Sequence, residues 1–177
     1  VRESGNKKYE KNIINKYPDL SPKFIFLYPA YNLRNNEISA TIGLNQLKFL
    51  DQNNKKRNNN LKIFLNNINK KIYRTNFNLL GCSNYAFPLV LIKRNFKNRN
   101  LLERVMLKNK IEFRRGNAGG GNQLRQPYLQ RNSKIKINLK NFPEVDHIHF
   151  YGYYIGNYPT LKKDKIIKIC EILNNIK

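Results

Sequence analysis

No stretch of the chain reaches the run of about 18 apolar residues that a membrane-spanning helix needs, so no membrane association is expected. Tryptophan is absent, and cysteine occurs only at Cys82 and Cys170. There is no CxxC pair and no Cys/His ligand spacing, so no metal or iron–sulfur centre is expected. His147 and His149 alternate in what reads as a loop or strand, without further ligands near them in sequence, and are expected to pack or hydrogen-bond. Two scattered thiols suit a reduced, cytoplasmic protein. Acidic residues are also scarce: 11 Asp+Glu stand against 34 Lys+Arg, a net charge of +23. Such an excess ordinarily points to nucleic acid or an anionic surface. Here Lys rises together with Asn and Ile, as an AT-rich coding sequence would produce, so the charge is discounted as a functional signal. A small basic nucleic-acid-binding module stays open as the alternative reading. It would need a segregated basic face or base-stacking aromatics, whereas Lys and Arg are spread throughout, so no specific nucleic acid is expected. The chain opens Val1-Arg2-Glu3-Ser4 without an initiator Met or signal-peptide core, and we read it as a piece cut from a longer one.

What the sequence does contain is organised around residues 28–51, YPAYNLRNNEISATIGLNQLKFLD. Pro29 bars a helix in the first half. From Asn36 the pattern turns helical. Asn35 or Asn36 is placed to cap, and Glu37 puts a carboxylate in the first turn, where the helix dipole favours it. Ala40, Gly43, Leu44, Leu47 and Leu50 then fall at helical spacing. Asn32 and Arg34 stand two apart just before this helix. In an extended segment both side chains point the same way, and an amide beside a guanidinium suits a phosphate or carboxylate. The same residues also fit a capped helix behind a turn with Arg34 in solvent, and spacing alone leaves both readings open.

Elsewhere the periodicity predicts a helix over 7–16, stopped by Pro18 and Pro22, and a short apolar run at 24–28 that is a strand or an extended lead-in. The helix from Asn36 should be long. Apolar positions return at Leu61, Phe64, Leu65 and Ile68 after a polar gap, 52–60, whose five Asn put its continuity in doubt. Residues 85–92 read as a strand in which Pro88 argues for an edge position or a distortion. A helix follows over 100–110 with Leu101, Leu102, Val105 and Met106 inward, then strands at 111–115 and 153–155. A last helix over 162–175 is capped by Thr160 and buries Ile166, Ile169, Cys170 and Leu173.

Between these elements lies 113–128, FRRGNAGGGNQLRQPY. Ordering three consecutive glycines costs chain entropy, which is worthwhile where backbone must approach a ligand. Arg114, Arg115 and Arg125 flank Gly119, Gly120, Gly121 and Asn122 and could meet a phosphate or sugar diphosphate. No Gly-Lys-Ser/Thr follows, so this is not a Walker loop. A flexible surface loop with solvated arginines is the competing reading.

Tyr31-Asn32-Leu33-Arg34-Asn35-Asn36-Glu37, followed by Gly43-Leu44-Asn45-Gln46-Leu47 and Leu50-Asp51, resembles the GYNxRxxE…GLxQLxxLD segment of DegT-type (DegT/DnrJ/StrS) nucleotide-sugar aminotransferases. The likeness extends over nearly the whole chain. FRRGNAGGGNQLRQPY and HFYGYYIGNYPTL resemble the lipopolysaccharide-synthesis branch, which includes 3-dehydratases acting on 4-keto-6-deoxy nucleotide hexoses. The resemblance implies an α/β fold: an α+β small domain with a long linking helix, then a small mixed or antiparallel sheet packed with helices, as at the C-terminal end of fold-type I aminotransferases. It implies an insertion and lead-in segment at 1–35, the linking helix at 36–69 and the small domain at 70–177. It implies a homodimer and pyridoxal 5'-phosphate as cofactor, bound mainly by a large domain outside this chain. That domain would carry the Schiff-base Lys, or the His that replaces it in the dehydratases, so no catalytic residue is assigned here. Asn32 would reach the cofactor phosphate of the partner subunit, and Arg34 the nucleotide-sugar anion. Arg114, Arg115, Gly119, Gly120, Gly121, Asn122 and Arg125 would line the substrate site. The implied function is amino transfer or 3-dehydration of a nucleotide sugar in O-antigen synthesis, with no turnover by this segment alone. A non-catalytic remnant is the further alternative.

Overall fold

A computed structural model of the chain describes residues 6–29, 36–131 and 137–176. The chain divides into two units, one joining 1–32 to 114–152, the other joining 33–113 to 153–177.

In the first unit, helix α1 spans Lys7–Lys16, as the prolines behind it require. The Asn6 side chain caps it by accepting the Tyr9 N–H at 3.0 Å. Its inward Ile13 packs with Leu20 and Ile25, and Ile14, Tyr17 and Leu27 close around them. The apolar run that follows is irregular and joins no ladder. The Phe26 N–H donates to Gln126 Oε1 at 2.9 Å, and the Phe26 carbonyl accepts from Tyr128 N–H. A side-chain amide thus takes the place of a neighbouring strand. Two further helices, α5 (Pro127–Gln130) and α6 (Pro143–Tyr151), each begin with proline, whose missing N–H costs nothing in a first turn. His147 and His149 lie on α6, not in the loop or strand that their alternation suggested.

The second unit holds α2 (Glu37–Leu47), α3 (Leu50–Asn67), α4 (Phe96–Lys108) and α7 (Lys163–Asn174). Strands β1 (Ala86–Val90), β2 (Phe113–Arg115) and β3 (Gly152–Gly156) form an antiparallel sheet in the order β1-β3-β2. β1 is an edge, which suits Pro88: with no N–H to donate, proline is tolerated where that side of the strand needs no ladder partner.

The single helix anticipated from Asn36 is two. Asn36 caps α2 through Ser39 N–H at 2.8 Å. The helix then tightens, with Phe49 N–H bonding Gln46 O, and α3 restarts with Asn53 N–H on Phe49 O. The polar stretch 52–60 is unbroken helix. Only Gln52, Lys55, Lys56 and Asn59 of it are exposed, Asn53, Asn54, Arg57 and Asn58 are half-buried, and the apolar positions beyond it, Leu61, Phe64 and Leu65, are buried. Asn60, the one buried polar residue of α3, donates to Asn157 Oδ1 and Tyr158 O, both at 3.2 Å. Thr160 does not cap α7. A turn closed by Leu161 N–H on Tyr158 O delays the helix, so Lys162 occupies the cap position and offers no side-chain bond.

The core of this unit is made by α3, α4 and α7 with β1 and β3. Phe64 and Phe87 stack with ring centroids 4.6 Å apart and planes 8° from parallel. Leu102, Met106, Ile166, Cys170 and Leu173 are buried around them, while Leu101, Val105 and Ile169 are half-buried. Burial pushes the Cys170 thiol up to about 12, so it behaves as an apolar side chain. The Tyr73 hydroxyl, also raised by burial, donates to Leu173 O at 2.7 Å.

Phe64→Ala removes a fully buried ring and its stacking partner's contact. It should cost about 3–5 kcal/mol, whereas Lys62→Ala, at an exposed position of the same helix, should stay within about 0.5 kcal/mol. Urea unfolding of the two variants checks this, and equal losses would remove Phe64 from the core.

Candidate functional site

Asn32 and Arg34 lie outside the described residues. Arg114 and Arg115 sit on β2, both exposed. The glycine loop follows as two short 3-10 turns, Ala118–Gly120 and Gln123–Arg125. Gly119, Gly120 and Gly121 all adopt positive φ, at 72°, 109° and 61°. Only glycine holds three such conformations in succession without steric cost. At Gly121 there is also no room: a Cβ would lie 2.7 Å from Asn117 Cα and collide with His149 Nδ1. At Gly119 a Cβ would meet nothing within 4 Å. The first glycine is therefore required by backbone conformation alone, the third by conformation and contact together.

What fixes this loop is polar and buried. Gln126, fully buried, donates from Nε2 to Gly120 O at 2.9 Å and to Phe24 O at 3.0 Å. Asn122, 2% exposed, donates its backbone N–H to His149 Nδ1 at 3.0 Å and its side-chain N–H to Asp146 Oδ1 at 2.7 Å. The Asn122 carbonyl oxygen of the side chain accepts from Leu124 N–H, capping the second turn. Arg125 grips Asp146 in a two-pronged pair, Nε to Oδ1 at 2.8 Å and Nη2 to Oδ2 at 2.7 Å. Its third nitrogen, Nη1, reaches Asp19 Oδ2 at 3.0 Å, and the guanidinium lies 4.9 Å from the Phe150 ring centroid. The Arg125 hydrogen bond holds the Asp146 carboxyl below its usual range, helped by Asn122 and opposed by partial burial.

The structure thus brings Gly119, Gly120, Gly121, Asn122 and Arg125 into one arrangement, with Asn122 and Arg125 spent on holding it. The arrangement contains no activated nucleophile. Its chemistry is to present a fixed backbone loop. Among the described residues no three His, Cys, Asp or Glu gather as a metal site. Sequence reasoning missed Asp19, Gln126, Asp146 and His149 as members. Asp146 and His149 stand three apart on one face of α6, a helical signal hidden by the period-two look of His147 and His149.

Two outcomes follow from this geometry. Gly119→Ala should cost about 1–2 kcal/mol for the left-handed backbone alone, and Gly121→Ala clearly more, since the ring and Asn117 must also move; thermal unfolding ranks them. Because the native Asp146 value is depressed, its contribution is complete above the ordinary 3.8 and is lost as pH falls through the lower native value. Asp146→Asn should flatten that acid limb of the stability profile, and an unchanged limb would show that the pair contributes nothing.

The DegT/DnrJ/EryC1/StrS aminotransferase family model matches residues 1–174. Among solved structures, the E coli GDP-4-keto-6-deoxy-D-mannose-3-dehydratase with bound hydrated PLP is similar at 23% identity and a TM-score of 0.58, over 90% of this chain and 44% of that one. A variant of the dehydratase ColD with bound GDP-perosamine is similar at 23% identity and a TM-score of 0.58, over 86% of this chain and 39% of that one. The putative sugar aminotransferase Spr1654 from Streptococcus pneumoniae, in its PMP form, gives 15% identity and a TM-score of 0.62, over 85% of this chain and 37% of that one. These likenesses carry the fold, and the chain spans less than half the length of each. No curated protein matches the chain. With nearly every residue covered by the family model, and a fold shared with both dehydratase and aminotransferase, the chain belongs to the DegT/DnrJ/EryC1/StrS aminotransferase family.

Proposed function

We propose that this chain is the C-terminal part of a pyridoxal-phosphate-dependent enzyme acting on a 4-keto-6-deoxy nucleotide sugar, by amino transfer or 3-dehydration, in O-antigen or related polysaccharide synthesis. The observation that carries the reading is the family match over residues 1–174. The fold shared with a dehydratase holding GDP-perosamine supports a nucleotide sugar as substrate.

Every described lysine is exposed, so the described residues offer no buried amine for a Schiff base. When bound, pyridoxal phosphate supplies an electron sink, and the protein supplies binding and orientation. The part we assign to this chain is substrate contact through Gly119, Gly120 and Gly121 with Arg114 and Arg115, while Asn122 and Arg125 hold that loop in shape. Asn32 is assigned to the cofactor phosphate of a partner subunit and Arg34 to the nucleotide-sugar anion.

A homodimer is supported by α2. Ile38, Ile42, Leu44 and Leu47 are 73%, 58%, 68% and 60% exposed, and no residue of the helix is buried. Its apolar residues are not confined to one stripe, the pattern of a helix enclosed within a larger protein or assembly. The two free thiols are those of a protein in the reducing cytoplasm, where we place it.

In the full-length protein, Asn32→Ala should weaken cofactor retention about 10- to 100-fold, the loss of one hydrogen bond to a charged group. Arg34→Ala should mainly raise KM for the nucleotide sugar. A mixed dimer of one Asn32→Ala subunit and one subunit lacking the Schiff-base residue should regain one working site. Mixed dimers as inactive as either parent, with both subunits folded and paired, would overturn the assignment across the interface.

A further inference from the structure

We propose that His149 is a positioning residue for the glycine loop, and that it works only as the neutral imidazole protonated at Nε2. The proposal rests on the loop reading given above, but its first measurement is independent of that reading.

His149 lies in α6 and is 2% exposed. Its Nδ1 faces the Asn122 backbone N–H at 3.0 Å, and its Nε2 faces the Asp19 carbonyl oxygen at 2.7 Å. A peptide N–H only donates and a carbonyl oxygen only accepts, so Nδ1 must be the bare acceptor and Nε2 the protonated donor. One tautomer and one charge state satisfy both bonds. A proton on Nδ1 would set donor against donor and strip the Asn122 N–H of its partner.

Asn122 is where this matters. It follows the glycine triplet directly, and its side chain bonds Asp146 and caps the next turn. The same ring also occupies the space a Gly121 side chain would need. His149 is therefore both the wall beside the loop and the anchor at its end. The charged groups facing it are Asp146 on α6, Arg125 from the turn after the loop and Asp19 from the N-terminal segment. Asp146 and Arg125 are paired with each other, so neither is a free counter-ion for an imidazolium. Burial, the largest influence, and the Arg125 charge hold His149 below its ordinary 6.5, while Asp146, Asp19 and the Asp19 carbonyl act the other way. The sign is fixed by this depression. Between 6.5 and the lower native value an opened loop takes up a proton that the closed loop refuses, so acid favours opening.

The test is hydrogen exchange on the whole protein, comparing peptides over 118–125 with peptides over α7 between about pH 7.5 and 5, after correction for intrinsic rates. In the wild type, exchange in the loop should rise about tenfold on acidification relative to α7. In His149→Asn, whose Oδ1 can replace Nδ1 and gains no proton, it should stay flat. In His149→Phe the loop should be open at every pH; if that variant does not fold, the wild type and His149→Asn decide the matter. A wild-type loop with flat protection, or a His149→Asn loop that follows the wild-type rise, overturns the proposal. GDP binding by calorimetry in the same buffers reads the substrate assignment separately. A loop that opens in acid while GDP affinity stays unchanged leaves the His149 assignment standing and overturns the loop as a nucleotide-sugar contact.

Discussion

A buried amide that loses its hydrogen-bond partner costs more than the bond contributes when made, and in both units most buried amides are partnered, the Asn58 Oδ1 on α3 being an exception. Asn is about one residue in six here, so the chain cannot keep all of its amides at the surface. Asn60, Asn122, Gln126 and Asn157 are buried, and each is answered. Asn157 donates to Arg57 O and Asn84 O at 3.0 and 2.9 Å while accepting from Asn60. Gln126 joins Phe24, Phe26 and Gly120, and Asn122 joins His149, Asp146 and Leu124. Replacing Gln126 with an apolar residue would strand the Phe24 and Gly120 carbonyls and the Phe26 N–H at once, and replacing Asn157 would strand the Arg57 and Asn84 carbonyls. An asparagine-rich composition has thus been turned into stitching between segments far apart in sequence.

The same logic separates the two ways this chain makes order. The second unit is held by apolar packing that any helical period would disclose, with Phe64 against Phe87 at its middle. The first has a small apolar cluster at Ile13, Leu20 and Ile25, and a larger share of its order is polar. Arg125 bridges Asp146 and Asp19, two carboxylates 127 positions apart in the chain, so the glycine loop inherits its shape from long-range contacts. Loop glycines without such a frame would sample many conformations, and the entropy of ordering them would fall on any ligand that bound.

How much of this was legible in the sequence depended on the range of the forces involved. α1, the Asn36 cap, and the buried positions Ile166, Cys170 and Leu173 could be read because capping and the 3.6-residue period are local. The edge position of β1 is one of the two readings that Pro88 allows, the other being a distortion. The break between α2 and α3 could not be read, since neither Gly nor Pro stands at Lys48–Phe49 and the doubtful asparagines lie inside an intact helix. Thr160 is a capping residue by type, but a turn two residues long displaces the helix start. The glycine loop was recognisable as a special backbone segment from its three glycines, which read as a place where backbone approaches a ligand. Its fastening by Asp146, His149 and Asp19 was not, because those partners come from segments whose proximity only the fold creates.

Pro88 carries a consequence beyond marking an edge. An exposed edge strand offers its unpaired backbone to any other chain that can add a strand, a common route to aggregation. Here the run from Ala86 to Val90 lacks one donor, and beyond it Arg74 N–H takes Val90 O while Ile92 N–H takes Ile72 O. The segment around Tyr73, bridged to Leu91, occupies part of that border. On the β1 side, a chain this rich in isoleucine, phenylalanine and tyrosine thereby offers less unpaired backbone for a neighbour's strand to extend.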